Sequence, residues 1–457
     1  MTVETGAPPA ARRVLTGWGR TAPSVADVLE PASPEQVAAA VLARPERGVL
    51  ARGLGRSYND AAQNAGGTVL DLRRLDRVLD VDLAGARVTV EAGCSLDRLM
   101  HLLLPLGLFV PVTPGTRSVT VGGAIAADVH GKDHHVAGSF CSAVESLDLL
   151  LADGQVRTVG PEREPELFWA TAGGMGLTGV VLRATLRMRA VETSSVVVDT
   201  ERARDLDDLM ARLTATDHVY TYSVAWVDCL ARGRRRGRAV LTRGWPARLD
   251  QLPPAARRAP LAFRHRARVQ VPDVFPSGLV NRATVAALNE AWYRRAPRER
   301  RGEVQGIAPF FHPLDGLGDW HRAYGPRGFT QYQYVVPFGQ EQTVQRSLEL
   351  LDEGGAVPAL AVLKRFGPGN PGPLSFPAPG WTLAVDVPLT AGTGAVLARL
   401  DELVLQAGGR VYLAKDARVG AAGLRAMYPD LDRWRAVRRQ VDPDRTFTSD
   451  LARRLDL

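Results

Sequence analysis

Between Thr113 and His135 the chain reads TPGTRSVTVGGAIAADVHGKDHH, which brings four glycines, a run of small residues and three histidines into one short span. Gly115, Gly122, Gly123 and Gly131 have no Cβ, so main-chain N–H groups there can lie against a bulky anionic ligand. A second cluster, Arg52-Gly53-Leu54-Gly55-Arg56-Ser57-Tyr58, follows an apolar run at 48–51 that reads as the end of a strand. Either cluster alone is equally a pair of tight turns. Together with a third group, Gly173, Gly174, Gly176 and Gly179, they point to a cradle for the pyrophosphate of a large extended cofactor. His130, His134 and His135 lack the helical His/Glu spacing of a metal centre, and no metal is expected.

Other residues able to do chemistry lie beyond residue 193, where the chain becomes rich in Arg and Pro. Alternation between Gly325 and Pro337 puts Gln331 and Gln333 on one face of a strand and Tyr332 and Tyr334 on the other. That polar face meets either a ligand or, in an edge strand, water. Lys364 sits in an apolar setting within 362–366, and Lys415 follows a strand expected over 410–414. A partly desolvated lysine beside a cofactor can fall toward neutrality and accept a proton; one that stays charged orients a hydroxyl or stabilises negative charge. Lysines at strand ends also simply snorkel.

The elements that must hold these residues are partly readable. Residues 78–83 and 87–91 alternate about Ala84-Gly85 as a hairpin. Leu96, Leu99, Leu102, Leu103 and Leu106 follow the helical period behind Ser95 as N-cap, and a βαβ-type wrap is expected to follow. Two short strands flank Ala152-Asp153-Gly154, a helix is expected over 166–171, and a strand over 180–188. Further strands are expected at 362–366 and 381–387, and helices at 394–406 and 431–441.

The 457 residues suggest two domains, and 45% hydrophobic with 23% charged residues exclude a disordered or fibrous class. The net charge of +8 concentrates at Arg232, Arg234, Arg235, Arg236 and Arg238 and again at Arg294, Arg295, Arg298, Arg300 and Arg301. Neither run is interleaved with stacking aromatics or joined to a helix-turn-helix, zinc-finger or RNA-binding signature, so no nucleic acid partner is expected. Solvated loops, an anionic membrane surface or a phosphate-bearing substrate account for them. Cys94, Cys141 and Cys229 are too few and too scattered for a disulfide framework. No apolar signal region or membrane-spanning run is visible. A cytoplasmic location, peripheral at the inner membrane, is expected, with the periplasmic face as the alternative.

RGLGRSY at 52–58, PGTRSVTVGGAIAADVHGKDHH at 114–135 and LFWATAGGMGLTG at 167–179 resemble the FAD-binding domain of the vanillyl-alcohol oxidase / p-cresol methylhydroxylase type. Within that superfamily the chain is similar, from Leu15 almost to its end, to the family of polyprenylphosphoryl-ribose 2′-oxidases, with QYQYVVP, LSFPAPGW, YLAKDAR and VDPDRTF as further matches. The resemblance implies an α+β flavoprotein in which residues 1–193, completed by 410–457, bind FAD, and residues 194–409 form a substrate domain on an antiparallel sheet. It assigns FAD contacts to Arg52, Gly53, Leu54, Gly55, Arg56, Ser57, Tyr58, Gly115, Thr120, Val121, Gly122, Gly123, Ala127, Asp128, Val129, His130, Val181 and Tyr412. Many relatives tether the flavin through a histidine just before the loop serine. Here that slot is Arg56, so the FAD is expected to be non-covalent.

On the substrate side the resemblance places His130, Trp226, Gln331, Gln333, Lys364 and Lys415 about the flavin, with Lys415, Lys364 and His130 as the catalytic group. The family's active-site cysteine aligns with Ala384, the asparagine two residues earlier with Thr382, and a tyrosine with Phe311. The implied activity is oxidation of the ribose 2′-hydroxyl of a lipid-linked sugar phosphate, followed by a separate NAD(P)H-dependent keto-reductase at a membrane surface. A paralogue acting on another sugar, polyol or nucleoside, and a flavin-binding module without catalysis, are the alternatives.

Overall fold

The computed structural model describes residues 6–263, 265 and 269–457. Its helices and largely antiparallel sheets form the expected α+β architecture. The first sheet runs Ala11–Leu15, Ser24–Leu29, Thr68–Asp71, Val49–Arg52. Its last two pairings are parallel, with the helix Pro34–Leu42 as crossover. The βαβ unit therefore lies before residue 71, not after the hairpin where the sequence pattern placed it. Its helix starts where Ser33 caps the Gln36 amide and Pro34 occupies the first turn, two features that favour initiation.

The second sheet is antiparallel, in the order Val78–Asp82, Arg87–Glu91, Val180–Arg187, Val144–Leu150, Val156–Val159. The helix after its hairpin spans Leu96–Leu103, with Ser95 Oγ accepting from the Arg98 amide at 3.1 Å. It tightens to a 3-10 turn over Leu104–Leu106. Pro105 has no N–H to continue the α-helical ladder.

The third sheet carries the candidate site. Its eight antiparallel strands run Glu299–Gly306, Ser195–Ala203, Ala239–Pro246, Tyr222–Val227, Leu360–Phe366, Gly380–Pro388, Phe329–Val336, Arg410–Val411. Phe329–Val336 has a neighbour on each side and is buried throughout, which overturns the edge-strand alternative. On its tyrosine face, the Tyr332 hydroxyl donates to Asp401 at 3.0 Å and the Tyr334 hydroxyl to Ser347 at 2.9 Å. Those partners sit on the helices Thr393–Gln406 and Glu341–Glu353, so helices cover the tyrosines and the glutamines face the other way. The last strand stops at Val411 rather than 414, because the Lys415 and Asp416 amides both turn back to the Tyr412 carbonyl at 2.9 Å.

The C-terminal segment closes on the first sheet. Val49 bridges Phe447 in parallel, and Arg454 reaches both Asp60, at 2.8 Å, and Asp416, at 2.7 Å. The Tyr58 amide donates to the Ala414 carbonyl at 3.0 Å, and Asn59 Nδ2 to the Lys415 carbonyl at 2.7 Å.

The arginine run at 232–238 is not simply a solvated basic loop. Arg232 pairs with Asp352, Arg236 with Glu349, and Arg238 is buried between Asp228 and Glu290, which leaves Arg234 and Arg235 exposed. In the second run Arg294, Arg300 and Arg301 meet Glu290, Glu303 and Glu299.

Candidate active site

The glycine loops and the glutamine face enclose one cavity of about 870 Å³. Its wall includes Arg52 to Tyr58, Gly115, Thr120, Gly122, Gly123, Ala127, Val129, His130, Val181, Gln331, Gln333, Lys364, Ala384, Tyr412 and Lys415. The structure thus brings most of the residues singled out in the sequence onto one surface.

Five stand off that wall. Val121 is packed inside the short helix Val121–Ala126. Asp128 is fully buried and accepts from Ser139, Asn370, Ser375 and the Cys141 amide, so it braces the loop from behind. Phe311 packs against Tyr222 and Phe109. Thr382 accepts from Gln333 Nε2 at 3.2 Å, one layer beneath it. Trp226 pairs across strands with Val362 and shares its face of the sheet.

The two glycine loops touch at Gly53, where a Cβ would come 2.1 Å from Thr120 Oγ1. Thr120 is not free to yield, since that oxygen caps the Gly123 amide at 3.2 Å. Ser57 Oγ is buried without a hydrogen-bond partner in the loop wall, as suits a hydroxyl that meets a ligand's acceptor. Arg56 Nε donates to the Ser118 carbonyl at 3.1 Å, and its guanidinium lies 3.8 Å from the Trp18 ring centre. The close loops and the orphaned hydroxyl fit the pyrophosphate of FAD.

Three strands of the large sheet build the facing floor. Register aligns Gln331 with Asp386 and Leu360, then Gln333 with Ala384 and Val362, then Thr382 with Lys364. Lys364 Nζ lies 3.1 Å from His130 Nδ1, and the Gln333 amide meets His130 Nε2 at 3.0 Å. Burial and the Lys364 charge push the His130 pKa well down, so the ring is neutral. A neutral ring has one acceptor. The atom of Gln333 that faces Nε2 is the same amide nitrogen that donates to Thr382, so the single acceptor of the ring is shared between two donors, Gln333 on one side and Lys364 on the other. Burial lowers Lys364 itself to about 8.

Lys415 Nζ lies 3.7 Å from the Tyr58 ring centre. Burial lowers its pKa, Asp386 pulls it up and Lys364 pushes it further down. The result is an amine able to take a proton near neutral pH, on the same wall as the flavin loops.

Two charged groups escaped the sequence reading. Asp386 is buried beside Gln331, whose Nε2 donates both to it and, at 3.1 Å, to the Tyr58 hydroxyl. An acid within the apolar run LAVDVP was the available signal. Lys132 is half-buried over the Phe310 ring, donates to that residue's carbonyl, and is lowered to about 7 by desolvation.

Residues 25–160 match the family described as FAD binding domain, and residues 389–455 the one described as D-arabinono-1,4-lactone oxidase. The chain is 48% identical over 454 residues to the decaprenylphosphoryl-beta-D-ribose oxidase of Mycolicibacterium smegmatis, covering 98% of each chain. It is 28% identical to the alditol oxidase of a Streptomyces species, over 96% of this chain and 98% of that one. It is 24% identical to L-gulono-1,4-lactone dehydrogenase of Mycobacterium tuberculosis, over 94% and 95%.

Proposed function

Because this chain belongs to the decaprenylphosphoryl-β-D-ribose oxidase family of FAD-dependent oxidoreductases, we propose that it oxidises the 2′-hydroxyl of a polyprenyl-phosphoryl-β-D-ribose to the 2′-keto compound. The supporting observation is the wall itself, where Lys415, Gln331, Gln333, Lys364 and His130 converge opposite the glycine loops. FAD, when bound, supplies the hydride acceptor. Residues 1–193 with 410–457 hold it, and residues 194–409 present the substrate. Arg56 cannot form the histidyl tether found in relatives, so the cofactor is non-covalent.

In this reading Lys415 accepts the hydroxyl proton as the adjacent C–H bond breaks. Gln331 and Gln333 hold ribose hydroxyls, and Lys364, steadied by His130, meets the phosphate as a point charge. The product is a ketone on a lipid-linked sugar, so a separate NAD(P)H-dependent reductase consumes it to give the arabinose donor for cell-wall arabinan. No helix among the described residues is long and apolar enough to cross a membrane. A peripheral encounter with the lipid-bearing surface, from the cytoplasmic side, is the arrangement we propose.

The direct test is anaerobic bleaching of the flavin absorbance by a short-chain polyprenyl-phosphoryl ribose. Lys415→Ala should slow bleaching by about 10²–10⁴-fold with FAD still bound. Bleaching by an alditol or free nucleoside but not by the phosphoryl ribose would instead favour a paralogue of different substrate, a reading supported by the small apolar Ala384 at the centre of the floor.

A further inference from the structure

Asp386 is a buried acid that the proposed chemistry does not use. It sits on the middle strand of the cavity floor, 1% exposed, and one of its oxygens accepts from Gln331 while Oδ2 has no hydrogen-bond partner. No cation makes an ion pair with it among the described residues. A buried carboxylate left in that state must either take up a proton or find a positive charge. The groups facing it are Leu360 from one neighbouring strand, Gln331 from the other, the Tyr58 phenol from the glycine loop, Tyr324 from the turn before the glutamine strand, and Lys415. Of these only Lys415 can be positive. Burial pushes the pKa of Asp386 up and that of Lys415 down, and each opposes the other's displacement.

We propose that Asp386 is a positioning residue that sets the basicity of Lys415 and balances the ammonium formed there during turnover. This rests on the reading of Lys415 as proton acceptor. In that step the C2′ hydroxyl proton moves to Lys415 Nζ, and the C2′–H bond breaks with its electron pair passing to FAD. The carbon–oxygen double bond forms, the sugar is oxidised and the cofactor reduced. A positive charge thus appears in a buried site, and Asp386 is the anion that faces it. Gln331 fixes that carboxylate and at the same time holds the Tyr58 hydroxyl, whose ring carries the lysine.

The experiment is the pH dependence of anaerobic flavin reduction in the holoenzyme, with the short-chain phosphoryl ribose as substrate. Wild type should show a rising limb from loss of the Lys415 proton. Asp386→Asn removes the negative charge, makes the ammonium more acidic, and should move that limb about one pH unit toward acid, a tenfold change, with the plateau rate lower and KM nearly unchanged. A lower rate on an unmoved limb would assign Asp386 to structural support only. A limb retained in Lys415→Ala would overturn the lysine reading and this proposal with it. A substrate-free measurement covers a variant that fails to load FAD. Infrared difference spectra of Lys415→Met against wild type, at mildly alkaline pH, should show a new protonated-carboxyl band, because Asp386 has lost its counter-charge; no such band would overturn the proposal.

Discussion

Ala384 lies at the centre of the cavity floor, flanked across strands by Gln333 and Val362. The three cysteines are all buried, and burial raises each thiol, Cys94 to about 12. A thiol reagent that enters the cavity should therefore leave wild type unmodified and label Ala384→Cys at a single site, read by intact mass. Lys364 tests the cost of charge on the same wall. Its pKa falls from 10.5 to about 8 through burial. The folded state therefore binds this proton less tightly than the unfolded chain does. The penalty is complete below about 8 and is relieved as pH rises from there to 10.5. Lys364→Met should stabilise the fold near pH 7 by about 2 kcal/mol, discounted because part of the lysine faces open cavity. Urea unfolding of both proteins at neutral and alkaline pH checks the value and its sign. Residues such as Lys364 and the glutamines were visible as polar interruptions of apolar strands. Asp386 was not singled out, because nothing in the sequence says which face of that strand is sealed.

At the scale of elements, the site depends on two loops meeting where one has no side chain. Gly53→Ala drives a Cβ into Thr120 Oγ1, so either the cap on the Gly123 amide breaks, at about 1 kcal/mol, or the loops separate. The purified variant should carry less flavin per protein, measured from the ratio of flavin to protein absorbance. The alternation of QYQY was enough to divide that strand into two faces, and Ser95 was enough to start its helix. The βαβ crossover was misplaced because an apolar strand of four residues, such as Val49–Arg52, does not reveal whether its partner is parallel. The arginine runs misled for a related reason. Arg232 finds Asp352 and Arg238 finds Glu290, partners that local composition cannot supply.

Over the whole molecule, ends of the chain that are far apart in sequence enclose one chamber. Arg454 clamps Asp60, just beyond the first glycine loop, and Asp416, next to Lys415. Arg454→Ala leaves Asp416 buried without its cation. Losing one partner of such a pair costs about 3 kcal/mol, so we expect a lower melting temperature and weaker FAD retention on dilution. Thermal melts with and without added FAD separate the two effects, since excess cofactor restores stability only in so far as it still binds. The same closure carries a consequence for biosynthesis. Tyr412 and Lys415 belong to the cavity wall, and Phe447 pairs with Val49. During translation the first glycine loop therefore emerges long before the wall it needs, and the nascent chain cannot complete a flavin pocket until Tyr412, Lys415 and Phe447 have left the ribosome. Cofactor capture then waits for those residues, and chains arrested before residue 410 should accumulate without flavin however much is supplied.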